Sequence, residues 1–427
     1  MTVDPLSRLW PPAPAEESFF HLRTADLAFH RKRLRFDLAR SLFASNAIDA
    51  GSLLLLRHLQ SVPLDHARRV LDLGSGIGVL GVVLVALDPR RALTAVDRDA
   101  LACRYTRRNL VLNELASAGT DAPAPARVLG SLGYDQLRPL DEDDRFDLIV
   151  SNLPGKAGAS VIEHLIAGAA GVAAADAIVG FVVVRPLADL VTDAVAAAGY
   201  RLLLAKGNKT HQVVVAQITD PDPVPVPEGF AAGIYDRATL PLTHRSMQWR
   251  ATTVTGLPEF DTLAYSTRML RQALQGVPAG PAVIVNPGQG HRAVIAARSG
   301  YVPATLIGRD LLALAASRRC LVDDGLPPPD LIHDITVSGG LGVEDALVIM
   351  HADDKVHAPY FTDQVERVLE HLATVSGRRA GDLVLTGRAG LLGRLEADLL
   401  ARRPGRIVHK ASQRGFRALR HRVASSS

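Results

Sequence analysis

Two cysteines, two tryptophans and no long apolar run in 427 residues remove several kinds of protein at the outset. Cys103 and Cys320 are too few for a disulfide scaffold. They fall near matching positions on two corresponding predicted helices, so no bridge between them is expected. No stretch reaches the ~20 apolar residues of a membrane-spanning helix. Residues 78–87 and 53–56 are the longer candidates, and both are too short. Residues 1–17 carry Asp4, Glu16, Glu17 and four prolines where a leader would be basic and then apolar, so a cytoplasmic location is expected. His291, His351 and His357 are scattered and no Cys/His spacing fits a metal site, so no metal is expected. Lysine is scarce, the six being Lys32, Lys156, Lys206, Lys209, Lys355 and Lys410, and arginine supplies the remaining positive charge.

What is present is a chain that is 48% hydrophobic, as a globular protein is. Its length is enough for two doubly wound α/β cores. Residues 70–81 read Val-Leu-Asp-Leu-Gly-Ser-Gly-Ile-Gly-Val-Leu-Gly, an apolar strand, a glycine turn and the start of an apolar helix. Gly76, Gly78 and Gly81 satisfy the dinucleotide pattern G-x-G-x-x-G, and Asp97 lies further on as its acid. Asp72 separates the possible ligands. Bare amides at a helix start suit a pyrophosphate, but a carboxylate beside them repels one. The same carboxylate suits a ligand with an ammonium group and a sulfonium, which is S-adenosylmethionine (SAM). Asp97, ending the second predicted strand, is placed to accept both ribose hydroxyls, while Asp99 caps the next helix. The cofactor set is therefore Asp72, Gly74, Ser75, Gly76, Gly78, Asp97, Arg98 and Asn152.

The chain also repeats itself. Setting Gly74 on Gly288, a shift of 214, brings Gly76 onto Gly290 and Leu56-Arg57 onto Leu270-Arg271. A shift of 211 matches Arg98-Asp99 to Arg309-Asp310 and Arg107-Arg108 to Arg318-Arg319. A slowly drifting shift is what a duplicated domain with small deletions gives. In this alignment Asp72 falls on Asn286, Gly78 on Arg292 and Asp97 on Gly308, so the second copy keeps the framework and loses the cofactor residues. Alternating prolines in 219–229 favour an extended connector. The expected organisation is a catalytic domain with an N-terminal extension over 1–218, a proline-rich linker over 219–230 and a degenerate copy over 231–427.

Within the first copy, strands are expected at 69–73, 93–96, 127–129, 147–151, 177–184, 201–205 and 211–217. Helices are expected over 99–113 and 188–198. The short loop 206–210 makes the last two strands an antiparallel pair. The fourth strand runs into Asn152-Leu153-Pro154-Gly155. A conjugated nitrogen is a poor nucleophile. Two acceptors, Asn152 Oδ1 and the Leu153 carbonyl, would hold its N–H bonds so that its lone pair points at the sulfonium methyl. Pro154 stiffens the turn, and Lys156 reads equally as a phosphate contact or a solvated helix start. Asn152, Leu153 and Pro154 are the catalytic candidates.

These motifs resemble the bacterial ribosomal RNA guanine-N2 methyltransferases that carry a "methyltransferase small" domain. The likeness spans roughly 42–217. It includes Ser41-Leu42-Phe43-Ala44-Ser45 and Ile48-Asp49-Ala50-Gly51-Ser52-Leu53-Leu54-Leu55, similar to the family's segment before its first strand. It implies an α/β fold of two tandem Rossmann-like class I methyltransferase domains, each a doubly wound, mostly parallel sheet with a terminal antiparallel hairpin, the second copy degenerate. Three departures stand out. The family's degenerate copy is the first, its base-stacking aromatic is Gly155 here, and its acid near the adenine is Leu132 here.

Net charge is +4, which permits a nucleic-acid partner without requiring one. Basic residues crowd at His30-Arg31-Lys32-Arg33-Leu34-Arg35, and again at Arg402, Arg403, Arg406, Lys410, Arg414, Arg417, Arg420 and Arg422. Together they read as an RNA or phosphate surface. The expected activity is SAM-dependent N-methylation of an amino group, with RNA, ribosomal above all, as the partner. A small-molecule amine as substrate and a non-catalytic RNA-binding scaffold are the alternatives.

Overall fold

The computed structural model describes residues 18–116, 126–137, 141–221, 228–342, 347–353, 356–375, 381–403 and 405–423. The chain forms two compact units, the first running from His21 to Tyr235 and the second from Asp236 onward. Half of the proline-rich connector, residues 222–227, lies outside the described residues. Its far end is pinned to the first unit, where the Gly229 and Phe230 amides donate to Asp135.

The first unit opens with an antiparallel hairpin, β1 (His21–Phe29) and β2 (Lys32–Ala39), followed by α1 (Ala50–Leu59). Then come β3 (Arg69–Leu73), α2 (Val79–Leu87), β4 (Ala92–Asp97), α3 (Ala100–Leu112), β5 (Ala126–Gly130), β6 (Phe146–Asn152), α4 (Ala159–Ala167), β7 (Ala173–Val184), α5 (Ala188–Ala197), β8 (Arg201–Gly207) and β9 (His211–Gln217). The sheet order is β5-β4-β3-β6-β7-β9-β8. The first five strands are parallel and β9 inserts antiparallel between β7 and β8. Strand order reverses between β3 and β6, and the crevice beyond the carboxyl ends of these strands is where such sheets bind ligands.

Local chemistry accounts for the elements around that crevice. Gly74, Gly76 and Gly78 all adopt left-handed φ, between +59° and +84°, which a Cβ disfavours. The helix that follows, α2, is apolar on every side and almost wholly buried, as a helix covered on all faces must be. Asp99 caps α3 by accepting from the Leu101 amide, as expected.

The second unit repeats the plan. A hairpin of β10 (Asp236–His244) and β11 (Met247–Val254) precedes α6 (Tyr265–Ala273), β12 (Pro281–Val285), α7 (His291–Arg298), β13 (Val302–Gly308), α8 (Leu311–Asp323), β14 (Asp330–His333) and β15 (Leu347–His351). α9 (Ala358–Val375), β16 (Gly381–Arg388), α10 (Ala389–Leu395), β17 (Arg406–Gln413) and β18 (Phe416–Val423) complete it. The sheet order, β14-β13-β12-β15-β16-β18-β17, matches the first, with the same terminal antiparallel pair. The repeat therefore includes the hairpin, which the sequence reading left outside it as an N-terminal extension. His30 and Arg245 both take left-handed φ at the hairpin tips.

The paired backbones correct the alignment at the glycine loop. Gly74 N and Asn286 N donate to the equivalent carbonyls of Val96 and Ile307. Gly78 and Gly290 are both left-handed N-caps, and Thr106 and Ser317 bond the carbonyls of Gly76 and Gly288. The shift here is thus 212, not 214: Asp72 corresponds to Ile284, Gly74 to Asn286, Gly78 to Gly290 and Leu80 to Arg292. Asp97 corresponds to Gly308, as expected, because their strand neighbours Gly130 and His333 occupy the same register.

Candidate cofactor and catalytic site

Asp72 is fully buried in β3, and its Oδ2 accepts from the Gly81 amide at 2.9 Å. Gly81 sits in the first turn of α2, whose N-cap, Gly78, has no side chain to offer. Asp72 therefore does the work of a helix cap from the neighbouring strand, in addition to placing a carboxylate under the loop. Burial, opposed in part by that bond and reinforced by the nearby Asp97, pushes its pKa up to about 7. Asp97, at the end of β4, accepts from the Gly76 amide and the Asp99 amide, each at 2.9 Å. Burial and the adjacent Asp99 push its pKa up to about 6. The loop is thus strung between two carboxylates that are both costly to ionise until a cation arrives.

The other loop residues divide. Gly74 and Gly76 have open space where a Cβ would stand, which is room for a ligand to lie on the backbone. Gly78 has none, since a Cβ there meets Thr106 at 3.0 Å. Ser75 is turned inward, its hydroxyl 3.0 Å from that of Thr106. Arg98 follows Asp97 at the strand end. Leu132 is buried. Open backbone, a strand-end acid and a buried carboxylate fit a cationic nucleoside such as SAM. They do not fit a pyrophosphate, whose charge the Asp72 carboxylate beneath the loop would repel.

Across the strand-order reversal lies Asn152, the last residue of β6. Its Nδ2 donates to Asp49 Oδ2 at 2.7 Å and to Ser52 Oγ at 3.1 Å. The Leu153 side chain is buried and its amide is bonded to the Val182 carbonyl. Pro154 is exposed and opens a turn closed by the Ala157 amide. Gly155 stands against Val184, whose Cγ2 would be 3.2 Å from an added Cβ, and Lys156 is exposed. Sequence alone assigns Asp49 and Ser52 no role. Their contacts span 103 and 100 residues and carry no local signal. Asn109, fully buried, has no sequence signal either: it ties Asp37 of β2 to the Ile77 carbonyl of the glycine loop.

These features coincide with a known family over part of the chain. Residues 33–188 match the Methyltransferase small domain. Most of the first unit is thus similar to that domain. A ribosomal RNA small subunit methyltransferase C from Hamiltonella defensa is 33% identical over 139 residues, 33% of this chain and 36% of the relative. A ribosomal RNA large subunit methyltransferase G from Shewanella pealeana is 28% identical over 134 residues, 31% of this chain and 30% of the relative. The chain thus spans about a third of the length of these curated relatives. A T. thermophilus 16S rRNA N2 methyltransferase, solved with AdoMet and guanosine, superposes with a TM-score of 0.61 at 14% identity, over 95% of this chain and 99% of that one. That likeness shows a shared fold.

The equivalent cleft of the second unit is filled. Ile284 and Gly308 replace the two acids of the first unit. Arg292 reaches back over the loop, with Nη1 3.0 Å from where a Cβ on Gly288 would stand. It is held by Glu259 at 2.5 Å, both side chains nearly inaccessible to water. Burial alone would raise the Glu259 pKa, but Arg292 and the Ala264 amide outweigh it and hold it down. His351 stands where the first unit has Asn152, and burial, aided by Arg292, keeps it neutral by driving its pKa well down.

The basic C-terminal cluster is in part committed to ion pairs: Arg420 is buried, while Arg402, Arg406, Lys410 and Arg414 are exposed. Arg420 and Arg422 pair with the buried Asp382, Lys410 and Arg417 with Glu396, and Arg403 with Glu366. The charges of 30–35 are different: His30, Arg31, Lys32, Arg33 and Arg35 are all exposed on the β1–β2 hairpin. Among the described residues no group of His, Cys, Asp or Glu is arranged to hold a metal, and no helix is long and apolar enough to cross a membrane.

Proposed function

We propose that this chain is a SAM-dependent N-methyltransferase acting on an amino group of a base in RNA, of the ribosomal guanine-N2 type. The observation that carries the reading is Asn152: its amide nitrogen is taken by Asp49 and Ser52, so Oδ1 is left to accept a substrate N–H. Asn152 Oδ1 and the Leu153 carbonyl orient the amine and bear on the positive charge it develops. Asp97 takes the ribose hydroxyls, the backbone at Gly74 and Gly76 carries the ligand, and Asp72 sets a negative potential beneath it. When bound, SAM supplies the electrophilic methyl. The RNA assignment rests on the activities for which the relatives are named and on the exposed basic hairpin. The second unit contributes fold and surface, not a second cofactor site.

A small-molecule amine is the competing substrate, and one observation favours it: Val184 crowds Gly155, where a base-stacking aromatic is expected. A non-catalytic scaffold accounts for neither the open space over Gly74 and Gly76 nor the fixed Asn152 amide. The test is transfer of labelled methyl from SAM to purified ribosomal RNA and, in parallel, to a small-molecule extract, with Asn152→Ala as control. Label in RNA that the variant abolishes supports the reading, and label confined to the extract rejects RNA.

A further inference from the structure

We propose that Asp49, assisted by Ser52, is a positioning residue that fixes which way round the Asn152 amide faces. The role rests on the N-methyltransferase reading. An asparagine amide has two nearly isosteric ends, and only one serves here. With the NH2 end toward a substrate amine, donor would meet donor and the amine would not be held. Asp49 prevents that flip. Its Oδ2 accepts from Asn152 Nδ2 at 2.7 Å, and a reversed amide would press Oδ1 against a carboxylate. Ser52 Oγ takes the same nitrogen from 3.1 Å. A charged acceptor also polarises the amide and increases the negative charge on Oδ1, where the amine becomes positive.

The device is itself held. Asp49 Oδ2 also accepts from the Ser52 amide at 2.7 Å, as N-cap of α1, so the carboxylate is fixed by the start of a helix. That helix start is wedged, because His211 at the head of β9 lies 2.9 Å from where a Cβ on Gly51 would be. Gly180 on β7 seats Leu55 and Leu59 of the same helix. Hence a loop before the first strand and the end of the fourth parallel strand are locked at hydrogen-bond distance.

The second unit provides an internal control. The residue at the Asn152 position is His351. The α6 N-cap at the Asp49 position is Ala264, which makes no side-chain cap bond. Where the cofactor acids are gone, the acceptor and its holder are gone together.

The experiment uses the full-length chain and Asp49→Ser, since serine still caps α1 but is too short to reach Asn152. In methyl transfer to ribosomal RNA, kcat is expected to fall about tenfold or more with SAM Kd and RNA KM little changed. Added to Asn152→Ala, the same substitution is expected to cost no further kcat, because Asp49 acts through the amide alone. A parallel readout needs no substrate: in protein 15N-labelled at asparagine, the Nδ2 proton pair missing from Asn152→Ala should shift and exchange faster with water in Asp49→Ser. The proposal is overturned if that pair is unmoved, if SAM affinity falls as far as kcat, or if Asp49→Ser still costs activity without Asn152. A wild-type chain that methylates no RNA rejects the functional reading alone, and the amide resonance still decides for or against Asp49.

Discussion

Asp72 and Asp97 carry opposite consequences for the empty and the occupied site. Their folded pKa values, about 7 and about 6, lie above the ordinary 3.8. Between those values the folded chain keeps protons that the unfolded chain has released. Stability from these groups is full below about pH 4 and is lost as pH rises through 6 and 7. A cationic ligand favours the ionised pair, so its affinity runs the other way. Calorimetric titration with SAM should show tight binding at pH 8 that weakens as pH falls through 7 and 6. The limit is about tenfold per pH unit for each group that must ionise. Asp97→Asn should flatten that profile, and a flat wild-type profile would remove both acids from the site. At this scale Asp97 and Asn152 were legible because each ends an apolar strand. Asp49 was not, because a bond between residues 49 and 152 exists only once the sheet has formed.

The elements were readable where a local pattern fixes them: apolar runs for strands, Asp99 before an apolar-periodic stretch for α3, and Lys206 to Thr210 for the closing hairpin. The glycine loop misaligns in sequence for a specific reason. Gly74-x-Gly76-x-Gly78 repeats every two residues, so it matches Asn286-x-Gly288-x-Gly290 equally well when slipped by two. Asn286 occupies the Gly74 position with φ +56°, and asparagine tolerates that conformation better than most residues. The hairpins escape a sequence reading because their strands are half-exposed and interrupted by charged residues, with no apolar run to mark them. Two stability predictions belong here. Gly78→Ala, with φ +84° and Thr106 in contact, should cost about 1–3 kcal/mol in a urea melt. Arg292→Ala should cost about 3–5 kcal/mol, because it strands Glu259 as a buried, unpaired charge. Joint replacement of Arg292 and Glu259 by apolar residues should restore most of it.

At the scale of the whole chain, charge counted along the sequence misled because counting ignores pairing. Several of the C-terminal arginines neutralise acids of their own unit, and Arg420→Ala should act as a stability lesion, removing the buried one of the two arginines that pair with the buried Asp382. The hairpin cluster is the surface with charge to spare. Neutralising Arg31, Lys32, Arg33 and Arg35 should weaken RNA binding and flatten its salt dependence, by up to about 0.7–0.9 in log–log slope for each phosphate that is no longer neutralised. An unchanged slope in filter binding at several salt concentrations would place the RNA elsewhere.

The Arg292–Glu259 plug makes the two units answer differently to supply of the methyl donor. A site that binds only when folded is stabilised by mass action, by about 2.7 kcal/mol when free ligand stands at 100 times Kd. The first unit is therefore expected to soften when the donor runs low. The second carries its occupant covalently, as a side chain at fixed effective concentration, and its melting should not shift with added SAM. A chain with two copies of one fold should titrate with a single equivalent, and starvation for the donor should expose one half of it to proteolysis before the other.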